Sequence, residues 1–311
     1  MRLHYLLSML LIVVPAGCNL SLNENISPAE GAFYSHDGVR IYFNDIGKGR
    51  PLVFIHGFGA SQDSWRYLVK AFKEDYRLVL LDLKGHGYSD RPYDYRYSIQ
   101  DHADIVSGLI SHLKLSNVIL VGHSFGSAVA LFAALRSRSS SPPLVSGLVL
   151  IAGSVDPHSL PLFLRLLRIP GIGWLSMNLT SASFRTRIAL TRAYYDDSKV
   201  TDSVIEMYAR YLRIPGTDHA MLETAKQFVP PNLSQLKAEL KKLEIPILHV
   251  YGDRDIVILR KPAEEVCGLL SRCSFVTLKD VGHVPQEERP ELVIPLLRER
   301  LGRIVAGEAK P

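Results

Sequence analysis

Residues 117–126 read Asn117-Val118-Ile119-Leu120-Val121-Gly122-His123-Ser124-Phe125-Gly126. The first five are a short aliphatic run of the length and β-branched content of a buried strand. A small-residue helical pattern, Ser124 to Leu135, follows. Between them stands Gly-x-Ser-x-Gly, which in a strand–turn–helix context is a nucleophile elbow. The requirement is steric: a serine held in a strained turn needs neighbours two residues away without side chains, and Gly122 and Gly126 meet it. Such a turn raises the Ser124 hydroxyl above the sheet at a helix N-terminus, where the dipole favours developing negative charge.

Working outward, the same alternation repeats. Asp37-Gly38 between Ala32–His36 and Val39–Ile46 is a hairpin signal. Leu52–Ile55, Leu78–Leu83 and Leu148–Ile151 read as strands, with helices over Ser61–Phe72 and Ile99–Leu113. The alternation resumes with a strand at Ile247–Tyr251, a helix at Pro262–Leu270, a strand at Phe275–Leu278 and a helix at Pro290–Ile304. Short apolar strands separated by helices imply a mainly parallel sheet buried on both faces. Residues 154–243 interrupt it with helical patterns broken by Pro and Gly, which reads as a helical cap inserted into one core made of residues 32–153 and 244–311.

A serine hydroxyl needs a base, and histidine oriented by a carboxylate is the side chain for neutral pH. Of the eleven histidines, His283 lies in a loop after the last strand, at the same carboxyl edge as Ser124. His36, His102, His112 and His158 fall in a hairpin, a helix or the cap, where solvated or satisfied histidines are expected, and His249 falls inside a strand. The strand 247–251 runs into Gly252-Asp253-Arg254-Asp255, which puts two carboxylates at that edge. The chain order Ser…Asp…His is that of elbow-type hydrolases.

Four blocks in this order, His56-Gly57-Phe58-Gly59, Asp82-x-x-Gly85-His86-Gly87-x-Ser89, Gly122–Gly126 and the late Gly-Asp-Arg-Asp255 with Gly282-His283, resemble the α/β-hydrolase superfamily. The likeness covers residues 32–304 and lies nearest the capped branch of esterases and monoacylglycerol lipases. It implies an α/β-hydrolase fold: a mostly parallel eight-stranded sheet, helices on both faces and a helical cap. It also implies a triad of Ser124, Asp255 and His283, the Asp of Gly-x-x-Asp being preferred to Asp253, with Asp156 as the position some relatives use. The backbone N–H groups of Phe58 and Phe125 would form the oxyanion hole. His56, Asp82, Gly85 and His86 are expected to support loop geometry. Epoxide hydrolases and haloalkane dehalogenases of this fold carry Asp at the elbow, so serine points instead to acyl transfer on small-molecule esters. C–C bond hydrolases and perhydrolases share the triad, and a non-catalytic lipid-binding member is the rival outside enzymes.

The N-terminus is a targeting segment: a charged start, an apolar run Tyr5–Val14, then Pro15-Ala16-Gly17-Cys18. Residues 1–17 read as a signal peptide too short to span a bilayer, with 18–31 as a linker. Ala-Gly-Cys18 resembles the lipobox of bacterial lipoproteins, which implies acylation of Cys18 and a membrane anchor in the cell envelope. Asn19 favours the outer membrane if the source is Gram-negative; plain secretion is the alternative. The cap stretch Leu160–Met177 is strongly apolar with Arg165 and Arg168 along it. It is expected to line the pocket or to act as a lid meeting acyl chains at a membrane.

Composition closes off other classes. The chain has 311 residues, 47% hydrophobic and 22% charged, with a formal net charge of +5, which is incompatible with a disordered or fibrous protein. Its basic residues are dispersed rather than striped, which argues against nucleic-acid binding. Three cysteines are too few for a disulfide scaffold or zinc ribbon; Cys267 and Cys273 either pair or remain buried thiols. The sequons at Asn25, Asn178 and Asn232 carry no message in a bacterial lipoprotein. No dinucleotide fingerprint or metal-ligand cluster is visible, so no cofactor is expected.

Overall fold

The computed structural model describes residues 31–138, 143–156, 160–230 and 232–306. The segment 1–17, Cys18, Asn25 and His158 lie outside the described residues. Asp37 and Gly38, at φ +49° and +81°, turn the chain between β1 (Ala32–His36) and β2 (Val39–Ile46), an antiparallel pair with His36 opposite Val39. Positive φ at both residues matches the twist of the flanking strands.

The remaining strands are β3 (Pro51–Ile55), β4 (Arg77–Leu81), β5 (Val118–His123), β6 (Val145–Ile151), β7 (Ile247–Gly252) and β8 (Cys273–Leu278). They form one eight-stranded sheet in the order β1-β2-β4-β3-β5-β6-β7-β8. β2 joins β4 antiparallel, and every pairing from β4 through β8 is parallel. Alternate side chains of one strand serve opposite layers: Val53 and Ile55 pack with one set of helices, Leu52 and Phe54 with the other. All five residues of β3 are therefore buried. β4 stops at Leu81, two residues short of the sequence expectation, because the Asp82 carboxylate accepts from Gln62 N and Tyr88 N at 2.8 Å each and turns the chain.

The region expected to be a helix from Ser61 begins as a 3₁₀ turn, Gln62–Trp65, and continues as α1 (Arg66–Phe72). α2 (Ile99–His112) starts in a capping box made by Ser98 and Asp101, and α3 (Phe125–Ser137) follows β5 directly. Between β6 and β7 lie α4 (Leu162–Leu167), α5 (Ile172–Leu179), α6 (Ala182–Ala193), α7 (Asp202–Leu212), α8 (Thr217–Lys226) and α9 (Leu233–Leu240), with no strand among the described residues. α10 (Arg260–Leu269) joins β7 to β8, and α11 (Pro285–Glu288) and α12 (Pro290–Val305) end the chain's description. Cys267 of α10 and Cys273 of β8 form a disulfide with Cα atoms 5.4 Å apart. No helix among the described residues is long and apolar enough to cross a membrane.

Candidate active site

β5 ends at His123, and Ser124 takes φ +52° and ψ −117°. That is a conformation costing on the order of 1–3 kcal/mol, which persists only when the surroundings over-determine it. They do so here. A Cβ on Gly122 would come 2.4 Å from Gly126 O, and one on Gly126 would come 2.1 Å from Ile55 O. Ser124 N donates to Ile151 O at 2.9 Å, and Ser127 N to Ser124 O at 2.9 Å, tying the turn to β6 and α3. Ser124 occupies the N-cap of α3 but its side chain makes no capping bond. The hydroxyl is thus left over at the positive end of a helix dipole.

His283 is held against the residue beside Ser124. His123 Nε2 donates to the His283 carbonyl at 2.8 Å, and the two rings lie 5.0 Å apart. On its other side, His283 N donates to Ala193 O of α6 at 2.6 Å. His283 Nδ1 meets Asp255 Oδ2 at 2.8 Å, with both side chains buried. The other oxygen, Asp255 Oδ1, accepts from Val257 N at 2.8 Å and Ile258 N at 2.9 Å, so the carboxylate cannot swing. Asp253 is engaged elsewhere, accepting from Asp280 N at 2.7 Å and pairing with Arg254. Asp156, after β6, is half-buried, and its backbone N–H is bonded to Ser154 Oγ at 3.1 Å. Ser124, Asp255 and His283 therefore converge at the carboxyl edge of the sheet.

Phe125 opens α3 and is fully buried. Phe58 follows Gly57 in the loop after β3, and that loop lies against the elbow: a Cβ on Gly57 would sit 3.3 Å from Ser124 Cβ and 2.9 Å from His123 Nδ1. The peptides of Phe58 and Phe125 thus flank Ser124. Behind them, His56 donates from Nδ1 to Gly57 O at 2.8 Å and accepts at Nε2 from Leu83 N at 3.0 Å, locking two loops together. Asp82, whose pKa burial raises to about 6, anchors the second of these loops. His102 differs from its sequence expectation. It is neither solvated nor satisfied, but fully buried with both ring nitrogens unpartnered among the described residues, edge-on to Phe125 at 5.3 Å.

Two carboxylates that carry no sequence signal tie the inserted helices to the His283 loop. Glu287, buried, accepts from Arg66, Tyr194 and Tyr208, and burial raises its pKa. Glu288 Oε1 accepts from Tyr195 N at 3.0 Å and Asp196 N at 2.8 Å, while its Oε2 accepts from Gly282 N at 2.7 Å. Glu288→Gln places an NH₂ against one of these backbone donors. It is expected to cost about 1.5–3 kcal/mol in urea unfolding and, because His283 is the next residue after Gly282, to lower turnover with little change in KM. Unchanged turnover at equal stability loss would show that the clamp does not position His283. Among the described residues no group of three or more His, Cys, Asp or Glu could hold a metal ion.

An elbow serine at the carboxyl edge of a mostly parallel sheet, with a histidine–carboxylate pair beside it, defines a hydrolase of the α/β class. The chain belongs to the alpha/beta hydrolase family, which it matches over residues 52–296. It is 29% identical over 279 residues to an uncharacterized hydrolase of Bacillus subtilis, covering 87% of this chain and 96% of that one. It is 28% identical over 268 residues to a 2-hydroxymuconate semialdehyde hydrolase of a Pseudomonas species, covering 84% and 90%. Among solved structures, an esterase from Exiguobacterium antarcticum superposes with a TM-score of 0.74 at 22% identity, covering 88% of this chain and 99% of that one. That similarity speaks to the fold.

Proposed function

We propose that this chain is a serine hydrolase that cleaves carboxylic esters through an acyl-enzyme on Ser124. The observation that carries the reading is the strained Ser124, adjacent to the histidine that holds His283, which is itself held by Asp255. In this reading Asp255 keeps the His283 proton on Nδ1, leaving Nε2 to take the proton of Ser124 Oγ as it attacks the carbonyl. The N–H groups of Phe58 and Phe125 receive the oxyanion. His283 then protonates the departing alkoxide, and water repeats the sequence to release the acid. Helices α4–α9 act as the cap. Phe163 of α4 stands against Phe58 with ring centroids 6.5 Å apart, and this apolar pair beside the Gly57–Phe58 loop supports a preference for medium- or long-chain monoesters such as monoacylglycerols.

The likeness to a semialdehyde hydrolase supports a second reading, C–C bond cleavage with the same triad. Intact mass after treatment with a fluorophosphonate probe is expected to show one adduct, absent in Ser124→Ala. An ester series run on the same protein is expected to peak at medium or long acyl chains. No adduct on folded protein overturns the serine mechanism and favours a binding protein. Turnover of vinylogous diketones with inert esters selects the C–C reading. Rates that fall steadily beyond short chains overturn the acyl-chain assignment. Residues 1–17 as a signal and Cys18 as an acylated residue, with an envelope location, belong to the same proposal and rest on the sequence pattern alone.

A further inference from the structure

More than half of the exposed large hydrophobic side chains among the described residues fall between Leu160 and Tyr195. On α4, Leu164 and Leu167 turn inward and are buried, whereas Leu162 and Leu166 face out. On α5, Gly173 and Met177 turn inward, whereas Trp174 is 59% and Leu179 66% exposed. α4 and α5 lie against each other and both rest on α8. α6 is tied to the end of α5 by Arg185, which donates to Met177 O and Thr180 O at 2.6 Å, and it adds exposed Phe184. An apolar face this concentrated on a soluble core marks an interaction site.

Charge identifies the occupant. The segment from Leu160 to Tyr195 contains Arg165, Arg168, Arg185, Arg187 and Arg192 and no Asp, Glu or Lys. Arg165, Arg168 and Arg192 are exposed, with no carboxylate in ion-pair range among the described residues. Exposed Leu, Phe and Trp bordered by unpaired arginines are the composition of an interfacial helix lying on anionic lipid, and a tryptophan with one apolar and one polar edge suits the headgroup level. A second copy of this chain would bring like charges together, since the same arginines would face one another.

We infer that the outer face of α4–α6 docks on an anionic lipid bilayer, with Trp174 and its apolar neighbours entering the headgroup boundary. Docking rests on these helices and not on the ester chemistry. What it adds to the ester reading is the source of the substrate, because Phe163 belongs both to this face and to the wall beside Phe58. An acyl chain leaving the bilayer would enter the site without crossing water.

The chain contains two tryptophans, and Trp65 is fully buried, so Trp174 reports on this face by itself. With full-length protein and phosphatidylglycerol-containing vesicles, Trp174 emission is expected to move to shorter wavelength and to be quenched by brominated acyl chains. Phosphatidylcholine vesicles should give a much weaker response, and Trp174→Phe should abolish it. Arg165→Glu and Arg168→Glu should each weaken binding at least five-fold, from the contribution of one basic residue near an anionic surface. Unchanged emission from protein that sediments with the vesicles would overturn the inference and leave the N-terminal segment as the membrane contact. Equal responses to both lipids would overturn the anionic preference. A blue-shifted, concentration-dependent emission without vesicles, with a dimer in sedimentation, would assign the face to a second copy. The same measurement on Ser124→Ala protein is expected to be unchanged, so failure of docking and failure of the serine mechanism are read separately.

Discussion

Asp255→Asn is expected to lower kcat about ten-thousandfold while leaving the fold and Ser124 in place. The reason is a forced tautomer. Asp255 Oδ1 accepts from Val257 N and Ile258 N, so an asparagine must keep its oxygen there. Its NH₂ is then turned to His283 Nδ1, where Oδ2 now sits at 2.8 Å. A donor facing Nδ1 makes that nitrogen an acceptor and drives the ring proton to Nε2, the atom that receives the Ser124 proton in the proposed mechanism. Ester turnover under saturating substrate, with a thermal melt to verify folding, checks the effect. A loss below ten-fold would remove Asp255 from the mechanism and reopen Asp253 and Asp156.

The second large effect is on acid stability. His56, His86, His102, His123 and His249 are buried, and desolvation pushes each pKa down to about 3. The folded chain therefore holds them neutral down to pH near 3, while the unfolded chain takes up a proton at each near 6.5. Below 6.5 the unfolded state binds more protons, so stability that is complete above 6.5 is lost as pH falls toward 3. One unit below 6.5 the loss is on the order of 1 kcal/mol per histidine. Asp82, raised to about 6, opposes this by taking up its proton in the folded state first, and the carboxyls of Glu287 and Asp218, which burial also raises, act in the same sense, but they are three groups against five. The sum approaches a large part of a typical domain's stability of about 5–15 kcal/mol. The melting temperature at pH 5.5 is expected to lie roughly 10–20 °C below that at pH 7.5. Equal melting temperatures would show that these rings are protonated or solvated in the folded protein.

The elbow was legible in the sequence because its cause is local. Gly122 is required by Gly126 and Ser127 of its own turn and Gly126 by Ile55 of the neighbouring β3, but the need for a missing side chain two residues from a strained serine follows from the chain itself. The parallel sheet was legible for a similar reason, since strands buried on both faces must be continuously apolar, as β3 and the first four residues of β5, Val118–Val121, are. His283 followed from these, because a loop after a parallel strand returns to the edge where Ser124 sits.

What depended on distant groups was not legible. Asp253 and Asp255 are two residues apart and chemically alike; the residues alone left both open, the family resemblance preferred Asp255, and the physical distinction is that Asp255 Oδ2 meets His283 while Asp253 accepts from Asp280 N. Cys267 and Cys273 were compatible with free thiols or a bridge until α10 and β8 brought their Cα atoms to 5.4 Å. His123 stood inside the quoted motif without a role, which it acquires from a carbonyl 160 residues away. Glu287 and Glu288 had no signal at all, since a pair of glutamates ordinarily faces solvent and these are buried by Arg66, two tyrosines and three backbone donors. The apolar stretch around Leu162–Leu179 was visible as composition, but its direction was not. Local hydrophobicity decides that such helices need a partner, and only the packing of α4 and α5 on α8 decides which half of each helix is left facing outward without one.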